Sequence, residues 1–155
     1  MRPILLAGCI AALLMIASTM CRAASNAVDD QPGDLADCRP PGEEPRRAVP
    51  PSPEFTRLSE FAVRRLAAAD MALKLFVTPD LLARARRDGY VRVRFREERL
   101  VALKNGGSRR TTEVLIPLDG RWARERTLFY NDAQYRQWFA VSAAPGSYEA
   151  FDGCR

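Results

Sequence analysis

Residues 90–96 alternate between apolar and charged side chains, and this alternation constrains the fold more than any other feature of the sequence. The apolar set is Val91, Val93 and Phe95, and the charged set is Arg92, Arg94 and Arg96. A period of two is that of a β-strand with one buried and one solvated face. This arrangement is typical of strands in antiparallel sheets.

Further strand patterns follow at residues 100–103, 111–118, 122–130 and 135–141. They are separated by turn residues, namely Asn105-Gly106-Gly107-Ser108, Asp119-Gly120 and Asn131-Asp132. Turns rich in glycine, asparagine and aspartate commonly connect consecutive antiparallel strands. We therefore expect a meander sheet of four or five antiparallel strands.

Two helices are predicted before these strands. Ser52 is a suitable N-cap, Pro53 suits the first turn, and an amphipathic stripe follows them at helical spacing. Thr78 and Pro79 begin a second, shorter helix in the same way. Helices that are separate from a run of strands indicate an α+β fold, here with an N-terminal amphipathic helix and a short helix packed on the sheet. The layout is similar to that of cystatin-like folds in architecture only, because no family motif accompanies it.

Residues 28–53 have the composition of an extended arm. Seven of the 11 prolines of the chain fall in this segment. Proline fixes its own backbone angle and restricts the residue before it to extended geometry. We expect a proline-rich spacer over residues 28–53 and a single α+β domain over residues 54–155.

The first 27 residues have the order of a signal peptide, with Arg2, an apolar run over residues 4–20, and then small residues. Cleavage after Ala27 fits this pattern, and cleavage after Ala23 is a second choice. An uncleaved anchor is an alternative, because the apolar run is just long enough to span a bilayer, which usually takes about 20 residues. Lipidation at Cys21 is another. We expect a periplasmic or secreted protein that meets a membrane only in these last two cases.

The four cysteines fall into two groups once a signal peptide is assumed. Cys9 and Cys21 leave with the presequence, so Cys38 and Cys154 remain near the two ends of the mature chain. Disulfides persist in exported compartments, and two cysteines allow one pairing. A redox or metal-binding pair is disfavoured, since the sequence contains no Cys-x-x-Cys motif and no histidine. We therefore predict a structural disulfide between Cys38 and Cys154.

The net charge gives little support to a nucleic-acid partner. The whole chain has 24 basic and 19 acidic residues, a net charge of +5. Arg2 and Arg22 lie in the presequence, so the mature chain carries 22 basic residues against the same 19 acids. Such a small surplus on an exported chain argues against nucleic-acid binding. The bias towards arginine and alanine is typical of a GC-rich bacterial genome.

The sequence does not favour an enzyme. Without histidine, neither a Ser-His-Asp nor a Cys-His arrangement can form. Phosphate-binding glycine loops are not found either. We interpret the carboxylates of the strand and turn region as solvated surface acids: Glu97, Glu98, Asp119, Glu125 and Asp132. We predict a non-enzymatic protein with no catalytic residues, no metal ligands and no cofactor.

A binding surface is the more specific hypothesis. Arginines and aromatic residues recur at alternate positions of three predicted strands, and they comprise Arg92, Arg94, Arg96, Trp122, Arg124, Arg126, Arg136 and Trp138, with Tyr130 further along the second strand. If the three rows share one face, their guanidinium groups would suit an anionic ligand of the bacterial envelope. Alternatively, the arginines form a wet face that is cross-paired with Glu97, Glu98, Glu113 and Glu125.

A third hypothesis is an inhibitor or an envelope-assembly partner that acts by protein–protein contact. The binding element would then be a sheet edge, a hairpin tip or the proline-rich arm. The partner, an envelope protein or an anionic envelope component, is not identified by the sequence.

Overall fold

The computed structural model describes residues 34–104, 107–145, 151 and 154. The predicted signal peptide, its cleavage sites, Cys9 and Cys21 lie outside the described residues. Within them, no helix is both long and apolar enough to cross a membrane.

Seven strands and three helices make up the described chain. Their bounds are β1 Leu35–Arg39, β2 Arg46–Ala48, α1 Pro53–Ala67, β3 Ala69–Ala72, α2 Pro79–Arg87, β4 Tyr90–Ala102, β5 Ser108–Pro117, α3 Gly120–Arg124, β6 Thr127–Asp132 and β7 Gln137–Ala143. The strands form one sheet in the order β2-β1-β4-β5-β6-β7-β3. Every pairing in it is antiparallel.

The predicted sheet of four or five strands behind an N-terminal helix is wrong. The sheet has seven strands, and β1 and β2 precede α1 within the segment predicted to be an extended arm. Prolines in that segment flank the two strands instead of preventing them, since β1 occupies 35–39 and β2 occupies 46–48. Short strands of this kind are stabilised by pairing with a neighbour, here β1 with the long strand β4.

Residues 122–130 do not form the single strand that we predicted. Asp119 caps a short helix by accepting a hydrogen bond from the Gly120 N–H at 2.6 Å, and α3 therefore covers 120–124. Arg126 then adopts a left-handed φ of 53°, and β6 begins at Thr127. The turn that we expected at Asp119-Gly120 has become a helix N-terminus.

Both predicted N-caps are confirmed. The Ser52 side chain accepts a hydrogen bond from the Phe55 N–H at 3.2 Å, at the start of α1. The Thr78 side chain accepts one from the Leu81 N–H at 3.2 Å, at the start of α2. These bonds satisfy backbone donors that a helix leaves free in its first turn.

The sheet has two covered faces, which we call the α1 face and the α2 face. On the α1 face, Val91, Val93 and Phe95 of β4 pack with Leu58 and Phe61 of α1 in the larger core. The α2 face carries a smaller core, in which α2 residues pack with Tyr90, Leu115, Phe129 and Ala140. The alternation at 90–95 thus places Val91, Val93 and Phe95 on the α1 face and the residues between them on the α2 face.

Candidate functional site

The α2 face places an arginine and a tryptophan in one row across four strands. Directly paired residues of antiparallel strands share a face. Arg94 of β4 is paired with Glu113 of β5, Glu113 with Asn131 of β6, and Asn131 with Trp138 of β7. The next row contains Asp37, Arg92, Leu115, Phe129 and Ala140. Charged residues therefore lie at the β1–β5 side of this face and apolar residues at the β6–β7 side.

Ion pairs connect the charged residues of the two rows. Arg47 Nε lies 3.3 Å from Asp37 Oδ1, and the other oxygen of Asp37 lies 4.0 Å from Arg92 Nη1. Arg92 also donates to the Glu113 carboxylate. The side chains of Arg92, Asp37 and Glu113 are only 20%, 12% and 9% exposed. Because solvent screens such pairs weakly, each of these charges depends on its partners.

Arg86 brings a further guanidinium to this network from α2. It is half-buried, and its Nε has no hydrogen-bond partner among the described residues. Burial lowers the pKa of Arg86, and repulsion from Arg92 lowers it further, against the opposing effects of Tyr90, Glu113 and Asp37. Arg86 is thus a cation whose surroundings do not fully compensate its charge.

Tyr90 is the first residue of β4 and is buried. Burial raises the pKa of its hydroxyl, as does the Asp37 carboxylate, while Arg86, Arg92 and Arg39 oppose the shift. The hydroxyl therefore keeps its proton at neutral pH.

We call the following six residues the guanidinium cluster: Arg47, Arg86, Arg92, Arg94, Asp37 and Glu113. The cluster combines guanidinium groups of β2, α2 and β4 with two carboxylates of β1 and β5. Guanidinium groups present several N–H donors in a planar fork that matches phosphate and carboxylate oxygens. The cluster can therefore bind an anionic group.

Of the predicted ligand-binding residues, the fold brings Arg92 and Arg94 together and places Trp138 in the row of Arg94. Trp122 lies in α3, where its ring packs edge-on against Phe129 with centroids 5.5 Å apart. It thus belongs to the same face, but to the apolar core of that face rather than to a strand row.

The remaining predicted residues lie elsewhere. Arg96 is exposed where the β4–β5 register shifts, and its backbone N–H donates to the Asp34 carboxylate at 2.7 Å. Arg124 is exposed on α3, and Arg136 is exposed in the turn before β7, with a φ of 52°. Arg126 lies in the connection before β6. These four arginines do not join the guanidinium cluster.

Tyr130 departs from its predicted position as well. It is 2% exposed and belongs to the larger core on the α1 face, where its ring stacks on Phe139 at 5.8 Å. The predicted surface of three adjacent arginine rows is therefore reduced to the two arginines of β4.

Three members of the cluster, Arg47, Asp37 and Arg86, were not predicted from the sequence. Asp37 lies in the segment interpreted as a spacer, and pairing of β1 with β4 brings it beside Arg92. Arg86 is explained in the sequence by the favourable effect of cations at a helix C-terminus. Arg86 lies one turn after Leu82, on the buried side of an amphipathic helix, and this spacing could have indicated that its side chain faces the sheet.

The surface acids show a mixed outcome. Glu98 pairs with Arg110 at 3.2 Å and Glu125 with Arg121 at 2.8 Å, and these acids are half-exposed. Asp132 is not a solvated acid, because it is only 1% exposed. Across the described ranges, no three histidine, cysteine or acidic side chains are grouped so that they could hold a metal ion.

Cys38 and Cys154 lie at disulfide distance. Their Cα atoms are 5.8 Å apart across a sequence separation of 116 residues. Both residues are buried in the larger core, at 0% and 3% exposure. This position is compatible with the predicted disulfide, which would join β1 to the residues near the C-terminus.

Comparison of the chain with protein-family models, with curated proteins and with solved structures gives no significant match.

Proposed function

We propose that this chain is a small exported, non-enzymatic binding protein of the bacterial cell envelope that recognises an anionic group through the guanidinium cluster. One observation carries the proposal. Arg86 is a half-buried cation whose Nε has no hydrogen-bond partner among the described residues, and burial and the neighbouring Arg92 both lower its pKa. An anion at this position would compensate the charge of Arg86 and accept a hydrogen bond from its Nε–H group.

The alternative of a merely structural network is the natural competitor. Arg92 forms ion pairs with two carboxylates and supports that alternative. Arg86 does not, because its Nε stays without an acceptor among the described residues although two carboxylates lie in the same cluster. The distinction between binding and structure therefore depends on Arg86 rather than on Arg92.

Export is supported by two independent features. The apolar run over residues 4–20 ends in small residues, as a signal peptide does. Cys38 and Cys154, which would remain after cleavage, lie at disulfide distance. A disulfide is more stable in the oxidising compartments outside the cytoplasm.

The test uses the oxidised mature protein and two arginine variants of α2. Inorganic phosphate is titrated by NMR or calorimetry, and vesicles of phosphatidylglycerol are compared with vesicles of phosphatidylcholine. Arg86→Gln should weaken phosphate binding about tenfold, the cost of one charge-assisted hydrogen bond. Arg84→Gln removes the same charge from an exposed position of the same helix and should change binding less than about twofold.

Salt dependence provides the second criterion. Raising the ionic strength from about 0.01 M to about 0.15 M shortens the Debye length from about 30 Å to about 8 Å, so an electrostatic complex should weaken steeply. Equal losses in the two variants, or binding that salt leaves unchanged, would refute recognition by the cluster. A hydrolytic activity that disappears on Glu97→Gln or Glu125→Gln would overturn the non-enzymatic part of the proposal.

A second candidate function is that of an inhibitor or envelope-assembly partner. The observation that favours it is Phe76, which is 87% exposed in the connection after the edge strand β3, with Met71 54% exposed on that strand. Exposed aromatic side chains are common anchors in protein interfaces. An envelope protein that is retained by the wild type and lost with Phe76→Ser, but kept with Arg86→Gln, would support this candidate instead.

A further inference from the structure

A cavity lies at the opposite end of the sheet from α2, beside the β4–β5 hairpin. Its volume is about 370 Å³, and its lining includes Glu98, Arg109, Arg110, Asp132 and Gln134. The guanidinium cluster contributes none of these residues. The cavity is therefore separate from the site that we propose for anions.

Asp132 lines this cavity, and its two carboxylate oxygens differ in their hydrogen bonding. Its Oδ1 accepts hydrogen bonds from the backbone N–H groups of Gln134 and Tyr135, at 2.9 Å and 3.0 Å. These bonds cap the turn between β6 and β7, a usual structural role for aspartate. Its Oδ2 is buried and has no hydrogen-bond partner in the part of the chain that the structure describes. A buried carboxylate oxygen without a donor is costly and indicates a missing partner.

The neighbouring charges do not supply that partner. Arg110 pairs with Glu98 at 3.2 Å. Arg109 lies over the Tyr135 ring at 5.3 Å from its centroid. A side-chain hydrogen bond with Tyr135 is the main reason why the pKa of Arg109 is raised, and the charge of Asp132 adds to the shift. The charge of Arg109 thus partly compensates the charge of the Asp132 carboxylate without a hydrogen bond to it, while Tyr135 holds the guanidinium of Arg109 in place.

We propose that this cavity binds a primary ammonium group on a short alkyl chain, with the ammonium donating to Asp132 Oδ2. The engaged Oδ1 leaves a single acceptor oxygen, which suits a compact ammonium better than a guanidinium that binds through two parallel N–H groups. The volume of about 370 Å³ leaves space for an alkyl chain behind the ammonium. The exposed Gln134 side chain would move aside to admit the ammonium, since exposed side chains change rotamer in picoseconds to nanoseconds.

The probes are pentylammonium and 1,5-diaminopentane, titrated into the oxidised protein and followed by NMR shifts of the 132–136 turn. Pentanol has the chain without the charge, and tetramethylammonium has the charge without N–H donors. We expect saturable binding of the two amines and not of the two controls. Saturation by tetramethylammonium, or no saturation by either amine, would overturn the proposal.

Two variants with opposite expected effects separate binding from structure. Asp132→Asn keeps the Oδ1 acceptor that caps the turn but removes the charge, so amine affinity should fall at least about tenfold. Arg109→Gln removes a competing cation and should strengthen amine binding about threefold. If Asp132→Asn is too unstable to study, the direction found for Arg109→Gln still decides, because weaker binding in that variant contradicts the proposal. Arg86→Gln should leave amine binding unchanged, which separates this site from the proposed anion site.

Discussion

Arg92 of β4 contacts one carboxylate oxygen of Glu113 of β5 through two of its nitrogens, Nε and Nη2. The two side chains lie in adjacent rows of the α2 face, and both are largely buried. Asp37 contacts the same guanidinium from the other side. Arg92 thus connects β1, β4 and β5 through side chains, in addition to their backbone ladders.

We expect Arg92→Ala to lower the free energy of unfolding by about 2–3 kcal/mol, because it leaves two poorly solvated carboxylates without their shared partner. Urea denaturation measures the loss. Arg110→Ala is the matched control, since Arg110 also pairs with a glutamate but is 73% exposed. Its cost should stay below about 1 kcal/mol. Equal costs for the two variants would contradict the assignment of Arg92 as a buried structural cation.

Tyr90 and Tyr130 predict a loss of stability in alkali. Burial raises the pKa of each hydroxyl above its usual value of 10.0, and a carboxylate, Asp37 or Asp132, adds to the shift. Between the unfolded and folded pKa values the folded state binds more protons, so the free energy of unfolding falls as pH rises. The stabilisation is complete below about pH 10 and is lost as pH rises through the folded pKa values.

Denaturation midpoints of the wild type and of Tyr90→Phe/Tyr130→Phe, compared from about pH 8 to about pH 11, test this effect. The variant should lose less stability above about pH 10, since phenylalanine cannot ionise. Parallel curves would show that these hydroxyls do not control alkaline unfolding.

The features that the sequence predicted are those encoded over a few neighbouring residues. A serine or threonine before a proline identified both helix starts at Ser52 and Thr78, because an N-cap acts within three residues. Alternation identified β4 for the same reason, since it needs only local contrast. The strands that were missed, β1 and β2, have five and three residues. Such lengths are too short for a period to appear, and pairing with a neighbouring strand decides them.

The candidate site was predictable only to the extent that it lies on one strand. Arg92 and Arg94 share a face by local alternation, so the sequence alone placed them together. Asp37 lies 55 residues before Arg92 in the sequence, and the pairing of β1 with β4 brings the two together. Arg86 lies 6 residues before Arg92, and the packing of α2 on the sheet places it near Arg92. Register between distant segments is a tertiary property. For the same reason, Trp122 and Tyr130 could not be assigned to their true faces while α3 was interpreted as a strand.

The disulfide that we predict between Cys38 and Cys154 would make the stability of the protein strongly dependent on reduction. In the chain-entropy treatment, a disulfide that closes a loop of more than 100 residues contributes up to about 4–5 kcal/mol. Cys38→Ser/Cys154→Ser should therefore unfold at much lower urea concentration than the oxidised protein. Intact mass with and without reduction and alkylation provides the chemical check. Two free thiols in protein recovered from its exported fraction would refute the disulfide.

Gly89 links α2 to β4 and lies against Pro41, which is in the segment between β1 and β2. A substitution at Gly89 therefore tests whether that segment is held against the domain. The φ of Gly89 is +89°, and a Cβ at this position would lie 2.9 Å from the Pro41 backbone nitrogen. Gly42 has a similar φ of +77°, but a Cβ added there would meet nothing within 4 Å. Each Gly→Ala change should cost about 1–2 kcal/mol of left-handed strain.

Only Gly89→Ala adds a clash with backbone, which cannot move aside as a side-chain end can. We therefore expect Gly89→Ala to lower the free energy of unfolding by at least about 1 kcal/mol more than Gly42→Ala. Urea denaturation of both variants measures the difference. If the two costs are equal, Pro41 does not pack on the α2–β4 connection in solution, and the segment would be the loose spacer that its proline content first indicated. A larger cost for Gly89→Ala would instead show that this segment is part of the folded domain and holds β1, with Asp37, in place beside Arg92.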